Sequence, residues 1–202
     1  KLTLEDVHNA EELGYRIKHL GITRKHANGV ELRVHPTLIP EEQLIAKVDG
    51  VMNAIQVDGD AVGQTLYYGA GAGSEATASA VISDLVDVAR IFNAQQACRV
   101  PYLGFAQQAL QALKVLPIEE IDSAYYLRMS AEDHPGVLAK VSSIMSEMEI
   151  NIESVIQKEQ ERAGDFIPLV MMTHVVQEKR INQAIERIEA LPEIKGSVVR
   201  IR

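Results

Sequence analysis

The chain has 202 residues, enough for one large or two small domains, with 47% apolar and 24% charged residues, an ordinary globular balance. Trp is absent and aromatics are 4%, so any core is aliphatic; the net charge of −8, with no Lys/Arg cluster, argues against nucleic acid as a partner. No apolar run reaches membrane-span length, no signal-peptide pattern opens the chain, and a lone Cys98 excludes an internal disulfide or Cys-rich metal site, so a cytoplasmic setting is expected.

The first predicted element is a helix. Thr3 is its N-cap, with Asp6 three residues on, and Val7, Ala10, Leu13, Ile17 and Leu20 recur at helical spacing up to Gly21. Asn28-Gly29 marks a turn, and Val30, Leu32 and Val34 alternate as in a strand running to Leu38. Pro40 and Glu41-Glu42 start a short helix through Val48. Met52 to Val57 and Val62 to Tyr68 read as two strands joined at Asp58-Gly59-Asp60. A glycine-rich turn follows, Gly69-Ala70-Gly71-Ala72-Gly73-Ser74, and then a helix with Val81, Leu85, Val88 and Phe92 on one face. Residues 93 to 122 are the least regular stretch and read as a linker, with some helix near Phe105 to Lys114.

From Ser123 the pattern is regular again. Ala124 to Ala131 is strand-like, with Tyr126, Arg128 and Ser130 on one face. Asp133-His134-Pro135-Gly136 precedes a helix whose Val137, Leu138, Val141, Ile144, Met145 and Met148 form one apolar stripe. Strands at 152–160 and 166–176 flank a turn at 161–165, a second helix carries Ile181, Ala184, Ile185, Ile188 and Leu191 inward, and Val198 to Ile201 is a last strand. The order βαββαβ predicts a ferredoxin-like sandwich: two helices on one face of a four-stranded antiparallel sheet, the other face open to a second copy. Pro135 fixes φ at a helix start, Gly136 allows close approach, and the free N–H groups of the first turn suit a carboxylate. Asp133 is expected to cap that helix and is a candidate for an ammonium group; Asn151 is a candidate for both ligand groups; His134 reads as a loop residue, and the methionines as core or interface filling.

The stretch from Asp133 to Leu138, in that position among those six elements, resembles the signature of ACT domains, a family of amino-acid-binding regulatory modules. By that resemblance the effector site comprises Asp133, His134, Pro135, Gly136, Val137, Asn151 and Ile152. The glycine loop alone fits a packed strand–helix turn as well as a cofactor contact, since its G-x-G-x-G spacing and the lack of an acidic strand end some 20 residues on rule out a self-standing dinucleotide fold. Taken with Thr77 to Arg90, with Leu4 to Val7 and Leu13 to Lys18 at the start, and with Arg33-Val34-His35-Pro36, however, it is similar to the homoserine dehydrogenase family.

That resemblance implies an α+β chain. Residues 1–92 would be the C-terminal part of a catalytic and dimerisation domain, with a mixed-sheet substrate region; 93–122 would be a linker, and 123–202 an ACT domain. It implies reduction of aspartate semialdehyde to homoserine with NADP or NAD, bound mainly by a nucleotide domain that these residues do not match. Gly69, Gly71, Gly73 and Ser74 would touch the cofactor's edge; no catalytic residue and no metal ligand is assigned. The chain opens at Lys1, directly into the first helix, and is expected to be half of a longer enzyme, inactive alone. Threonine is the expected effector, and a dimer or tetramer the expected assembly. The alternatives are a free-standing ACT-type regulatory protein and a dimerisation piece that has lost its ligand.

Overall fold

The computed structural model describes residues 2–93, 107–157 and 166–202. The chain divides into two compact units, Lys1–Pro40 with Leu113–Arg202, and Glu41–Ala112.

In the first unit, helix α1 (Leu4–Glu12) is shorter than predicted and is followed by a long antiparallel ribbon, β1 (Tyr15–His26) and β2 (Gly29–Pro40). The helix stops at Gly14, which takes a left-handed φ of 80°, and not at Gly21. Beyond it Ile17 and Leu20 lie on opposite faces of a strand: a spacing of three suits one helix face and equally the two sides of a pleat. The predicted strand at 30–38 is part of β2. Its first residues are held by Val30 N–H on the Lys114 carbonyl (2.8 Å) and Leu116 N–H on the Val30 carbonyl (2.9 Å). A β-carbon on Gly29 would sit 2.4 Å from the Lys114 carbonyl oxygen. Gly29→Ala is therefore expected to destabilise this unit by about 1–3 kcal/mol, read as a lower urea midpoint; a midpoint unchanged within error would contradict the packing.

Residues 113–123 pack within this unit. A 3-10 turn at Ile118–Glu120 leads into β5 (Asp122–Ser123), which pairs with β9 (Val176–Gln177). The ferredoxin-like sandwich follows: β6 (Tyr126–Glu132), α3 (Val137–Glu147), β7 (Ile152–Gln157), β8 (Phe166–Thr173), α4 (Glu178–Glu189) and β10 (Ile194–Ile201). The sheet is antiparallel, in the order β10-β6-β8-β7. The predicted turn at 161–165 and the end of the strand before it, 158–160, lie outside the described residues, as does the start of the helix expected over Phe105 to Lys114; the described part of that stretch holds a 3-10 turn, Gln107–Ala109, in its place.

Two cores flank this sheet. On the helix side Leu127, Met129, Leu169 and Met171 meet Val141, Met145, Ile181 and Ile188, all at most 2% exposed. Each contributes about 1.5–3 kcal/mol by burial. The other face is not open as the sequence suggested. Tyr126, Val170, Met172 and Ile201 are covered by Leu13, Tyr15, Ile17 and Leu38, so α1 and the ribbon fold over it within the same chain. The reason is the strand alternation itself: residues pointing away from the helices need a cover, and the N-terminal segment supplies it.

The second unit holds a 3-10 turn (Leu44–Lys47) where a short helix was predicted, a hairpin of β3 (Met52–Gly59) and β4 (Gly63–Ala70), and helix α2 (Ser74–Asn93). Its apolar side chains are largely uncovered: Ile55 is 67% exposed, Tyr67 66% and Phe92 79%. The α+β class stands, with β1–β2 and β3–β4 as two separate antiparallel ribbons and a parallel bridge between Val30 and Val115. Among the described residues no helix is long and apolar enough to cross a membrane.

Candidate effector site

The turn from β6 into α3 builds a cleft. Ala131 ends the buried part of the strand, and the Glu132 N–H is fixed by the Glu193 carbonyl of the residue preceding β10 (2.9 Å). His134 folds back: its N–H donates to the Glu132 carbonyl (3.1 Å), its Nε2 lies 3.1 Å from Glu132 Oε2, and its Nδ1 lies 3.0 Å from the Pro135 carbonyl. It is thus a loop-shaping residue. Gly136 is the N-cap of α3 in the left-handed region, φ 99° and ψ −16°, with no side-chain cap. The first helical bond to it comes from the Lys140 N–H (3.0 Å), which leaves the N–H groups of Val137, Leu138 and Ala139 without intrahelical acceptors.

Asp133 does not cap α3, contrary to expectation; it is exposed at the lip. The residue before a proline is pushed to extended backbone, so the helix cannot begin at His134, and the cap falls to Gly136. The cleft has a volume of roughly 310 Å³ and is lined by Ala131, Glu132, Asp133, His134, Pro135, Gly136, Val137 and Leu138, with Gln157 of β7 and Ile167 and Leu169 of β8. Five of the seven predicted effector residues therefore lie together. Asn151 and Ile152 do not join them: they sit at the start of β7, and Gln157 at its other end lines the cleft. The Asn151 carbonyl instead accepts the His174 N–H (2.9 Å). Gln157, Ile167 and Leu169 were missed in the sequence. The antiparallel order carried the signal, since Ala131 pairs with Ile167 across β6 and β8.

Two buried ionic clusters brace the same domain. Asp6, on α1, receives Arg128 Nε (2.6 Å) and Nη2 (3.0 Å), the Tyr126 hydroxyl (3.1 Å), and the Thr3 N–H (2.8 Å) and hydroxyl (2.9 Å). Asn9 Nδ2 donates to the Tyr126 hydroxyl (3.1 Å). Burial alone would raise the Asp6 carboxyl, but these donors, Arg128 foremost, hold it below its usual 3.8. On the far side Glu178 accepts from the Tyr125 hydroxyl (2.5 Å) and from Arg202 Nε (2.9 Å) and Nη2 (2.5 Å), with Arg200 Nη1 at 2.9 Å. Burial again pushes the carboxyl up, and Arg202 and Tyr125 bring it net below its usual 4.5.

The glycine loop is exposed throughout. Gly69 is the last residue but one of β4, Gly71 donates its N–H to the Val51 carbonyl (3.1 Å), Gly73 has φ 122°, and Ser74 opens α2. The space a β-carbon on Gly71 would need is taken by Asn53, whose Nδ2 would lie 1.6 Å away. Gly71 thus lies against the end of the exposed Asn53 side chain, while Gly69 and Gly73 have open space beside them. Among the described residues no three His, Cys, Asp or Glu side chains gather as a metal site requires.

The βαββαβ sandwich, with a glycine-turned cleft between its first strand and first helix, has the architecture of a small ligand-binding module. Residues 125–193 match the family model "ACT domain", and residues 1–86 match "Homoserine dehydrogenase". Along its whole length the chain is similar to homoserine dehydrogenases. It is 59% identical to a homoserine dehydrogenase of Pseudomonas aeruginosa and 51% identical to one of Neisseria gonorrhoeae, each along 100% of this chain and 46% of the relative. A crystal structure of a homoserine dehydrogenase from Thiobacillus denitrificans superposes with a TM-score of 0.91 at 55% identity, covering 100% of this chain and 45% of that one. The chain thus spans about half the length of the curated relatives it matches.

Proposed function

We propose that this chain is the C-terminal portion of a nicotinamide-dependent homoserine dehydrogenase, which reduces aspartate semialdehyde to homoserine in the cytoplasm. Its ACT domain binds an amino-acid effector, threonine. The β6–α3 cleft carries the effector reading: the N–H groups of Val137 and Leu138 and the open backbone at Gly136 suit a carboxylate, and Asp133 at the lip suits an ammonium. Asn151 and Ile152, away from this cleft, belong to the site only if a second copy brings them to it. The functional segments are 1–92 for the dehydrogenase part, 93–122 for the linker and 123–202 for the ACT domain. Packing cuts across that division, because α1 and the ribbon lie on the ACT sheet.

The uncovered apolar side chains of β3, β4 and α2 support the fragment reading, since monomeric surfaces rarely leave so many together. They suit contact with the rest of the enzyme and with another subunit in a dimer or tetramer. The residues present fit the edge of a nicotinamide cofactor and not the whole of it: the N–H groups of the first turn of α2 and the exposed backbone at Gly69, Gly73 and Ser74 can meet a phosphate, and Gly71 keeps the loop close to Asn53. When bound, NADP or NAD supplies the hydride; this chain contributes its outer contact.

Two measurements on the purified chain test the reading together. Calorimetric titration with threonine is expected to show saturable binding, and an assay with aspartate semialdehyde and NADPH or NADH is expected to show no turnover. Turnover by these residues alone would refute the fragment reading; no heat with threonine would refute the effector.

A further inference from the structure

The joint between α1 and the ACT sheet has two parts of different character. Around Leu13, Tyr15, Ile17 and Leu38 it is apolar. Under α1 itself it is polar: of the helix residues that are buried, Asp6, Asn9 and Ala10, two depend on directional bonds to Tyr126 and Arg128. An apolar seam tolerates small shifts, whereas a buried carboxylate does not, because losing its donors leaves its desolvation uncompensated. Such a contact is either made or broken.

We infer that the Asp6–Arg128 pair is the coupling joint that carries the ligand state of the ACT cleft to the dehydrogenase segment, an inference that rests on the cleft being the effector site. Asp6 lies within the residues matching the dehydrogenase family and Arg128 within those matching the ACT domain. Arg128 stands on β6, whose last residues, Ala131 and Glu132, line the cleft. The strand alternates, so Ala131 faces the helix-side core and Arg128 faces α1. A change at the cleft that shifts or rotates β6 therefore moves the guanidinium against Asp6. At the other end of α1, Gly14 has φ 80° and joins the helix to β1, with Leu13 and Tyr15 on either side of it packed on the sheet. The pair, with Tyr126 and Asn9 closing around it, gives α1 two discrete arrangements for the effector to choose between.

The test uses the intact enzyme with Asp6→Asn and, as the milder change, Arg128→Lys, which keeps the charge and loses the two-pronged contact. Threonine binding is followed by calorimetry, inhibition by residual activity at saturating threonine, and α1 by amide hydrogen exchange over residues 4–12. The wild type is expected to bind threonine, to be inhibited, and to change its exchange over α1. Both variants are expected to bind within about threefold of the wild-type Kd while their residual activity rises by about fivefold or more, and their α1 exchange no longer responds. Variants that bind and are inhibited like the wild type would overturn the coupling and leave the effector site standing. A wild type that binds no threonine would remove the effector reading and the coupling with it.

Discussion

Glu178→Ala is expected to cost about 3 kcal/mol of folding stability, the range for removing one partner from a buried charged cluster. Glu178 is 2% exposed at the start of α4 and is the shared acceptor for Tyr125, Arg200 and Arg202. Without it the fully buried Tyr125 hydroxyl loses its acceptor and two guanidinium groups lose their counter-charge. The expected sign also fixes the response to pH. The carboxyls of Glu178 and Asp6 both titrate lower in the folded chain than their usual 4.5 and 3.8. The stability they give is full above those values and is lost as pH falls through the lower, folded ones. Urea midpoints measured down a series from pH 7 to about pH 3 should fall steeply for the wild type and less for Glu178→Gln. A Glu178→Ala midpoint equal to the wild type's, or parallel acid profiles, would show the cluster to be energetically idle.

The second large effect concerns the cleft. Gly136 holds φ 99°, a region in which a β-branched residue is a genuine outlier. Gly136→Val is expected to strain the turn by about 1–3 kcal/mol, enough to weaken the proposed effector, threonine, by roughly 5- to 150-fold if the turn must be restored on binding. Calorimetry on the folded variant decides this, with circular dichroism confirming that the sandwich persists. An unchanged Kd would place the ligand elsewhere, and the start of β7 at Asn151 would be the next place to look.

The ACT half was largely legible in the sequence, because each element there is short, regularly spaced and bounded by its own turn residues. The stripe from Val137 to Met145 reads directly as a buried helix face, and Pro135-Gly136 marks where that helix begins. The dehydrogenase half was less legible for a specific reason. Ile17 and Leu20 satisfy a helical period, yet the left-handed Gly14 ends the helix before they are reached. Asp6 and Asn9 sit at inward positions of α1, where polar residues are unexpected. Their meaning depends on Tyr126 and Arg128, some 120 residues away, and no local pattern carries that pairing. The glycine loop was legible as a turn and ambiguous as a site, and it stays so in the structure: Gly71 lies against a single exposed side chain, and Gly69 and Gly73 face open space.

The cover that α1 and the ribbon place on Tyr126, Val170, Met172 and Ile201 has a practical side. An ACT domain cut out at residue 123 and grafted onto another enzyme would leave that apolar face bare and Arg128 without its carboxylate. A transferable sensor built from this chain has to bring its own roof, residues 3 to 40, and with it the helix through which it reports.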